Sequence, residues 1–250
     1  MSLSVIVIAR DEAHAIRACL ESVAWADEIV VVDSGSTDGT LDICRECGAK
    51  VYSMDWPGFG PQKNRALDLA GCDWVLSLDA DERVGAELRQ ELQAAMAAPG
   101  GFSAFRMPRL SSYCGRFMRH SGWWPDHVTR LFKRGSARFS DDLVHERLVA
   151  EGATGTLKHP LLHETYLNLE EVLDKVNTYS TAGARMLQQK GRKATLSSAV
   201  LHGLWAFVRT YFLRRGFLDG QEGFMLAVSN AEATYYRYLK RMLMDKRNND

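Results

Sequence analysis

The sequence has no run of apolar residues long enough to cross a bilayer. Its longest such stretches, around Ala199–Val208 and Phe224–Val228, fall well short of the ~20 residues that a spanning helix needs. Cysteine is scarce: Cys19, Cys44, Cys47, Cys72 and Cys114 are odd in number and irregularly spaced, which argues against a disulfide framework and fits a reducing cytoplasm. Cys44-x-x-Cys47 has no second pair to complete a zinc site and no aromatic or Gly-Pro context for redox work, so a structural role is expected. The apolar segment Leu3–Ile8 is followed at once by Arg10, Asp11 and Glu12. It is too short for a signal-peptide core, lacks a cleavage site, and reads as a buried strand. Internal repeats and low-complexity segments are absent, and so is net charge, 31 basic residues balancing 31 acidic ones.

What is present is the composition of a folded protein. Of 250 residues, 46% are hydrophobic and 25% charged, enough for one α/β domain and a smaller appendage when domains run to roughly 100–200 residues. The balanced charge hides an asymmetry: residues 1–100 carry 8 Lys/Arg against 17 Asp/Glu, whereas residues 185–250 carry 12 against 5. An acidic front and a basic tail imply different partners. The tail interleaves its charges with aromatics, which suits an anionic membrane surface or a polyanionic acceptor; a solvated helix face is the plainer alternative.

Short apolar runs at Leu3–Ile8, Glu28–Val32, Lys50–Met54 and Trp74–Leu78 alternate with helical patterns near Ala13–Val23, Asp38–Cys47, Lys63–Ala70 and Ala86–Met96. The strands are continuously apolar, as when helices cover both faces of a parallel sheet, so a doubly wound α/β sheet is expected. Ligands of such sheets bind beyond the carboxyl ends of the strands. From Gly101 to about Tyr166 the pattern is irregular, with strands expected at Phe102–Met107 and Val128–Phe132. Beyond Asn168 it turns helical, over Leu169–Gln189, Leu196–Leu213 and Gln221–Met244.

The chemistry-bearing residues sit where that topology asks for them. The first strand ends in Ala9-Arg10-Asp11-Glu12 and the second in Asp33-Ser34-Gly35-Ser36-Thr37-Asp38-Gly39-Thr40. In the second, Thr37 or Asp38 can cap the next helix, which leaves Asp33 to face the crevice and accept from a base or ribose; a bare structural turn is the alternative. The fourth strand ends in Asp79-Ala80-Asp81-Glu82. Three adjacent carboxylates repel one another, and a hard cation, Mg²⁺ or Mn²⁺, would keep them ionised and neutralise a diphosphate. The competing explanation is a helix start enriched in acids by the dipole.

Taken in this order and spacing, Ala-Arg-Asp-Glu, Val-Val-Asp-Ser-Gly-Ser-Thr-Asp-Gly-Thr and Leu-Asp-Ala-Asp-Glu resemble the family 2 glycosyltransferases of GT-A fold, over roughly residues 3–165. Within that family the stretches Phe59–Leu67, Trp123-Trp124-Pro125-Asp126, Arg130-Leu131-Phe132, Val144-His145-Glu146 and Phe212–Gly220 are similar to bacterial lipopolysaccharide core glucosyltransferases that act on heptose. The resemblance implies a GT-A type, Rossmann-like, mostly parallel sheet over residues 1–167, with residues 1–100 as the nucleotide-binding half and 101–167 as the acceptor-binding half. Residues 168–250 form a helical C-terminal extension.

It further implies that Ala9, Arg10, Glu12 and Asp33 hold the nucleotide, Asp79 the ribose or metal, and Asp81 the metal, with His163 completing the metal site. Lys63 and Arg65 offset phosphate charge, and Trp123 and Trp124 stack on a sugar ring; the plainer alternatives are that the two tryptophans are core and that His145 and His163 are ordinary hydrogen-bonded histidines. The acidic pair that usually supplies the base reads His145-Glu146 here. That departure makes Glu146 the expected base and His145 its support, with Asp126, Asp141 and Asp142 as rivals.

The expected activity is inverting transfer of a sugar, glucose from UDP-glucose, to a lipopolysaccharide inner-core or related cell-envelope glycan. The alternatives are another acceptor or a non-catalytic sugar-nucleotide-binding module. A sugar nucleotidyltransferase is disfavoured because the Gly-rich, basic phosphate loop after the first strand is missing. The expected partners are a nucleotide-sugar donor and a glycan or glycolipid acceptor, with no nucleic acid. The expected location is the cytoplasm, peripheral to the inner membrane. In the tail Leu201, Leu204, Trp205, Val208 and Phe212 recur at helical spacing near Arg209, Arg214 and Arg215. That stripe either packs on the catalytic domain or meets lipid.

Overall fold

The computed structural model describes residues 1–140 and 147–247. Strands β1 (Leu3–Ala9), β2 (Glu28–Asp33), β3 (Lys50–Ser53) and β4 (Trp74–Asp79) lie parallel in the order β3-β2-β1-β4. Their side chains split by the period of two. Val5, Val7, Val31, Leu76 and Leu78 enter one core with helices α1 (Ile16–Ser22), α2 (Thr40–Glu46) and α4 (Ala86–Ala97). Ile6, Val30, Val32 and Val75 enter a second core with α3 (Phe59–Leu69). This double burial is why these strands read as unbroken apolar runs. Each side chain so buried contributes roughly 1.5–3 kcal/mol.

The sheet continues past β4 through antiparallel strands. β5 (Glu82–Val84) follows directly from the β4 turn, β6 (Ala104–Tyr113) and β7 (Arg116–Phe117) form a hairpin, and β8 (Asp126–Lys133) inserts between β4 and β6. β9 (Ala137–Phe139) pairs with β10 (Leu148–Ala150) apart from the main sheet. β11 (Thr154–Thr156) adds to β6, and β12 (Leu161–Tyr166) pairs antiparallel with β5. The expected α/β class holds: a parallel, doubly wound half with a mixed extension and a helical C-terminal region.

Two compact units divide the chain. Residues Met1–Arg109 and Asp126–His163 form the first, and Leu110–Pro125 with the chain from Glu164 onward form the second. The chain passes from the first unit to the second at Glu164, and residues 110–125 group with the helices.

The second unit comprises α5 (Leu169–Gln189), α6 (Leu196–Val208) and α7 (Gly220–Arg247), with a π-helical turn (Arg209–Leu213) and a short 3₁₀ turn (Gly216–Asp219) after α6. Asn168 caps α5 by accepting from Glu171 N at 3.0 Å, and Thr195 and Ser198 form a reciprocal capping box at α6. Tyr113, Met118, Val172, Val176 and Leu226 make its core. The buried Asp219 carboxylate accepts from His120 N at 3.0 Å and Ser121 Oγ at 2.9 Å. Trp123 belongs to this unit's aromatic cluster, with ring centres 6.0 Å from Tyr113 and 6.1 Å from Tyr166, and Trp124 lies under the Arg119 guanidinium.

All five cysteines are free. Burial pushes the Cys44 thiol up to about 11, with Cys47 adding to the effect, so it stays protonated and inert, as a structural cysteine does.

Candidate active site

The parallel register sets the site. Ala9 is level with Asp33 across β1 and β2, and Ile8 with Asp79 across β1 and β4. The strand order reverses between β1 and β4, so the carboxyl ends of these two strands flank the crevice that such sheets use for ligands.

The loops after β1 and β2 are laced together. Asp11, at φ 54°, accepts from Thr37 N at 2.7 Å, while its own N–H donates to Ser36 Oγ at 2.8 Å. Glu12 N–H donates to Thr40 Oγ1 at 2.8 Å, and Ala13 N–H to Asp38 at 3.0 Å. The expected cap by Thr37 or Asp38 is not formed: the N-cap of α2 is Gly39, which has no side chain to cap with, and the Asp38 carboxylate, one residue earlier, accepts from Thr40 N at 3.0 Å.

Asp33 stands at the end of β2. It is 1% exposed, and its carboxylate accepts from Gly35 N at 2.9 Å, Ser36 N at 3.0 Å and Ser36 Oγ. In this structure it is the pin of its own turn, because the backbone N–H groups of a tight turn are the nearest donors to an Asp at its start. Ala9 is buried at the strand end, and the Arg10 side chain is exposed.

The three carboxylates after β4 have separate fates. Asp79 Oδ1 lies 2.9 Å from the buried Lys63 Nζ, placed by the first turns of α3, and Asp79 also accepts from Arg130 of β8. Glu82 is wholly buried, 2.5 Å from Arg130 Nη2 and 3.5 Å from Arg109 Nη1. Arg109 in turn holds Asp126 at 2.7 Å, its partner across β6 and β8. The result is one chain of alternating charge: Lys63, Asp79, Arg130, Glu82, Arg109, Asp126.

Two of the three carboxylates thus find their counter-charge in arginine and lysine, where a metal had been expected to serve all three. Burial opposes ionisation of Asp79, yet the charges of Arg130 and Lys63 outweigh it and hold its carboxyl well below the usual range. For Glu82 burial prevails over Arg130, with Asp79 adding to it, and its carboxyl is raised.

Asp81 stands outside this chain. Its carboxylate lies 3.2 Å from His163 Nε2, and the β5–β12 register, with His163 level with Glu82, brings the imidazole there. Glu12 faces the same region. Burial raises its carboxyl above the ordinary value, the negative charge of Asp81 raises it further, and His14 pulls the other way.

Among the described residues no three His, Cys, Asp or Glu side chains stand in ligating geometry. One carboxylate and one imidazole nonetheless fit a Mg²⁺ or Mn²⁺ ion. Such ions are commonly held by one or two protein groups, with phosphate oxygens and water completing the shell. Two carboxylates close enough for the charge of Asp81 to raise Glu12 favour a cation at that place.

A cavity of about 400 Å³ opens beside this chain, lined by Lys63, Asp79, Arg109, Arg130, Arg147 and Phe139 among others. Among the described residues its cations outnumber its carboxylates. Arg65 does not reach it: its guanidinium donates to Asp55 O and Oδ1, each at 2.9 Å. His145 and Glu146, and the rivals Asp141 and Asp142, lie outside the described residues.

Sequence reasoning missed Arg109, Arg130 and the structural part of Glu82. The available signal was an arginine within the expected strand Val128–Phe132, since a charge in a buried strand requires a partner.

Residues 4–148 match the family described as Glycosyl transferase family 2. The chain is 31% identical to the lipopolysaccharide core biosynthesis glycosyltransferase LpsC of Rhizobium meliloti (strain 1021), covering 95% of this chain and 93% of that one. It is 28% identical to an uncharacterised glycosyltransferase of Rickettsia prowazekii (strain Madrid E), covering 95% of this chain and 86% of the relative. Among solved structures, S. aureus TarS 1-349 in complex with UDP-GlcNAc matches 99% of this chain and 92% of its own, with a TM-score of 0.51 at 17% identity, a likeness of fold. The chain belongs to the family 2 glycosyltransferases.

Proposed function

We propose that this family member moves a glucosyl residue from UDP-glucose to a lipopolysaccharide inner-core or related cell-envelope glycan, with inversion at the anomeric carbon. The observation that carries this reading is the division of charge at the ends of β1 and β4. Asp79 is kept ionised by Lys63 and Arg130, while Asp81 pairs with the imidazole of His163, 3.2 Å away. That arrangement supplies a fixed carboxylate for a ribose hydroxyl and a separate place for the ion that accompanies a diphosphate. The acceptor class rests on the Rhizobium relative, whose name states lipopolysaccharide core biosynthesis.

In this reading Ala9, Arg10 and Glu12 line the nucleotide. Asp81 and His163 would hold Mg²⁺ or Mn²⁺, which when bound neutralises charge on the diphosphate. Glu146, supported by His145, takes the proton from the acceptor hydroxyl. The freed oxygen bonds to the anomeric carbon as the bond to the diphosphate oxygen breaks on the opposite face, and the nucleotide leaves with that electron pair. Asp126 is the weaker candidate for the base because Arg109 Nε and Nη2 both donate to its Oδ2, which ties that oxygen to the strand pair and away from an acceptor hydroxyl. The cations around the cavity steady the donor phosphates.

The test is a nucleotide-release screen with UDP-glucose, UDP-galactose and UDP-N-acetylglucosamine, each with Mn²⁺ or Mg²⁺. Fastest release from UDP-glucose, increased by a heptose-bearing core acceptor, is the expected result. Titration showing UDP binding with no release from any donor would overturn it in favour of a non-catalytic module.

A further inference from the structure

Helix α6 is packed the wrong way round for a helix of a water-exposed surface. Its inward face is made of the small residues Ala199, Gly203 and Ala206, continued by Thr210, at helical spacing and all buried. Against α7 the fit is close: a Cβ on Gly203 would stand 3.1 Å from Tyr235 Cβ and 3.3 Å from Ala231 O. Phe207 packs on Phe224 of α7, with ring centres 5.6 Å apart, and most of the other large apolar side chains point outward. Leu201, Leu204 and Trp205 are 64%, 60% and 56% exposed, and Phe212 and Leu213 of the following turn are 55% and 63% exposed. Phe217 and Leu218 extend the patch onto the 3₁₀ turn. Helices whose large apolar stripe serves folding bury it; this one buries the opposite face. A contiguous patch of this kind marks an interaction surface.

The charge around the patch selects the partner. Between Asp174 and Asp219 the chain has no acidic residue and eight basic ones. Lys190, Arg192 and Lys193 precede α6 and Arg209, Arg214 and Arg215 follow it, all exposed, while α6 itself carries no Lys or Arg. Apolar and aromatic side chains at the centre with basic residues at both ends match a bilayer surface bearing anionic headgroups. The acyl boundary receives the former and the phosphates attract the latter. A second copy docked through this same face would bring six like charges opposite each other. Among the described residues no helix is long and apolar enough to cross a membrane, so the geometry is that of a helix lying in the interface.

We infer that α6 and the two turns after it form a membrane-docking surface that seats the enzyme on an anionic lipid bilayer. The inference stands on exposure and charge, and it does not depend on the donor or acceptor assignment. For an enzyme whose acceptor is a glycolipid, such docking converts a search in three dimensions into one along a surface.

The experiment is flotation of the full chain with vesicles of phosphatidylethanolamine and phosphatidylglycerol, against phosphatidylcholine alone, over a salt titration. Binding to the anionic vesicles at low salt and its loss as salt screens the headgroups are expected. Two variants separate the contributions. Lys193→Glu with Arg209→Glu and Arg215→Glu should lower the partition coefficient about tenfold or more; Arg214 is left in place because it packs on Gly122. Leu204→Gln with Trp205→Gln should lower it comparably. A blue shift of tryptophan emission on vesicles should vanish in Trp205→Phe. Both multiple variants should keep the wild-type melting temperature, since the altered side chains are already in solvent, and should keep UDP release with a water-soluble acceptor. Absence of flotation at low salt overturns the inference. So does sedimentation equilibrium showing that Leu204→Gln with Trp205→Gln converts a dimer to a monomer while vesicle binding is unchanged, which would assign the face to a second copy.

Discussion

Arg130 is where the charge chain of the site can be broken most informatively. It is 7% exposed and joins Asp79 to the wholly buried Glu82. Replacing it with Met keeps much of the volume and removes the charge. Stripping one partner from a buried ion pair costs about 3–5 kcal/mol, because a carboxylate is left in a low-dielectric interior. Here each carboxylate keeps a second cation, Lys63 at 2.9 Å from Asp79 and Arg109 at 3.5 Å from Glu82, so the low end, about 3 kcal/mol, is expected. That is a large share of a domain's stability of ~5–15 kcal/mol. The assay is urea denaturation at neutral pH of the wild type, Arg130→Met, Glu82→Gln and the double variant. If the cost comes from the orphaned charge, Glu82→Gln in the Arg130→Met background should restore about 1–2 kcal/mol, a coupling seen only when the two sites share an interaction. A loss under about 1 kcal/mol for Arg130→Met, or strictly additive effects, would refute the claim that the buried pair organises this end of the sheet.

Three further outcomes are expected. Asp81→Ala should cut metal-stimulated nucleotide release by about 10²-fold or more, the scale of losing one preorganised charge contact, while thermal melting changes little because Asp81 sits in the turn after β4 with a partly exposed side chain; near wild-type turnover with Mn²⁺ or Mg²⁺ would remove Asp81 from the metal site. Glu146→Gln should lower kcat by roughly 10²–10⁴-fold with donor KM nearly unchanged, with Asp126→Asn as the active control, and the reverse pattern in steady-state kinetics would move the base to Asp126. Glu28, at the far end of β2, accepts from Ser4 Oγ, Gly71 N and Lys50 Nζ. Against the opposing effect of burial, these partners lower its carboxyl from 4.5 to about 2. A carboxyl lowered in the fold stabilises above its unfolded value and loses that contribution as pH falls through the folded one, so Glu28→Gln should cost about 1–2 kcal/mol at pH 7 after solvent screening. In denaturation curves that difference should shrink between pH 5 and pH 2, and a pH-independent cost would show that shape matters there and charge does not.

Much of the fold was legible because local rules and tertiary demands coincide. Strands β1, β2 and β4 are buried on both faces, so their apolar runs show in the sequence as they stand in the sheet. Asp79 and Asp81 were legible for the same reason: a strand's carboxyl end is a position in the chain as well as in space. Helices shifted by a few residues, as with α3, which begins at Phe59 and so places Lys63 within its first two turns, and as with α6, which ends at Val208 before the π turn.

What the sequence by itself determined was the order of strands and helices, the placing of carboxylates at their ends, and the charge asymmetry between front and tail. What only the tertiary structure decided was which charge meets which. Arg130 lies 51 residues beyond Asp79 and reaches it through an antiparallel strand inserted beside β4. Asp33, equally acidic and equally placed at a strand end, turns back on its own loop. The tail makes the same point in apolar terms, since a helical stripe of leucines and aromatics has one appearance in sequence whether it faces core or solvent. The small residues on the opposite face of α6 settled it, because only a side without bulk lets two helix backbones approach closely enough to pack, and the large side chains were left outside.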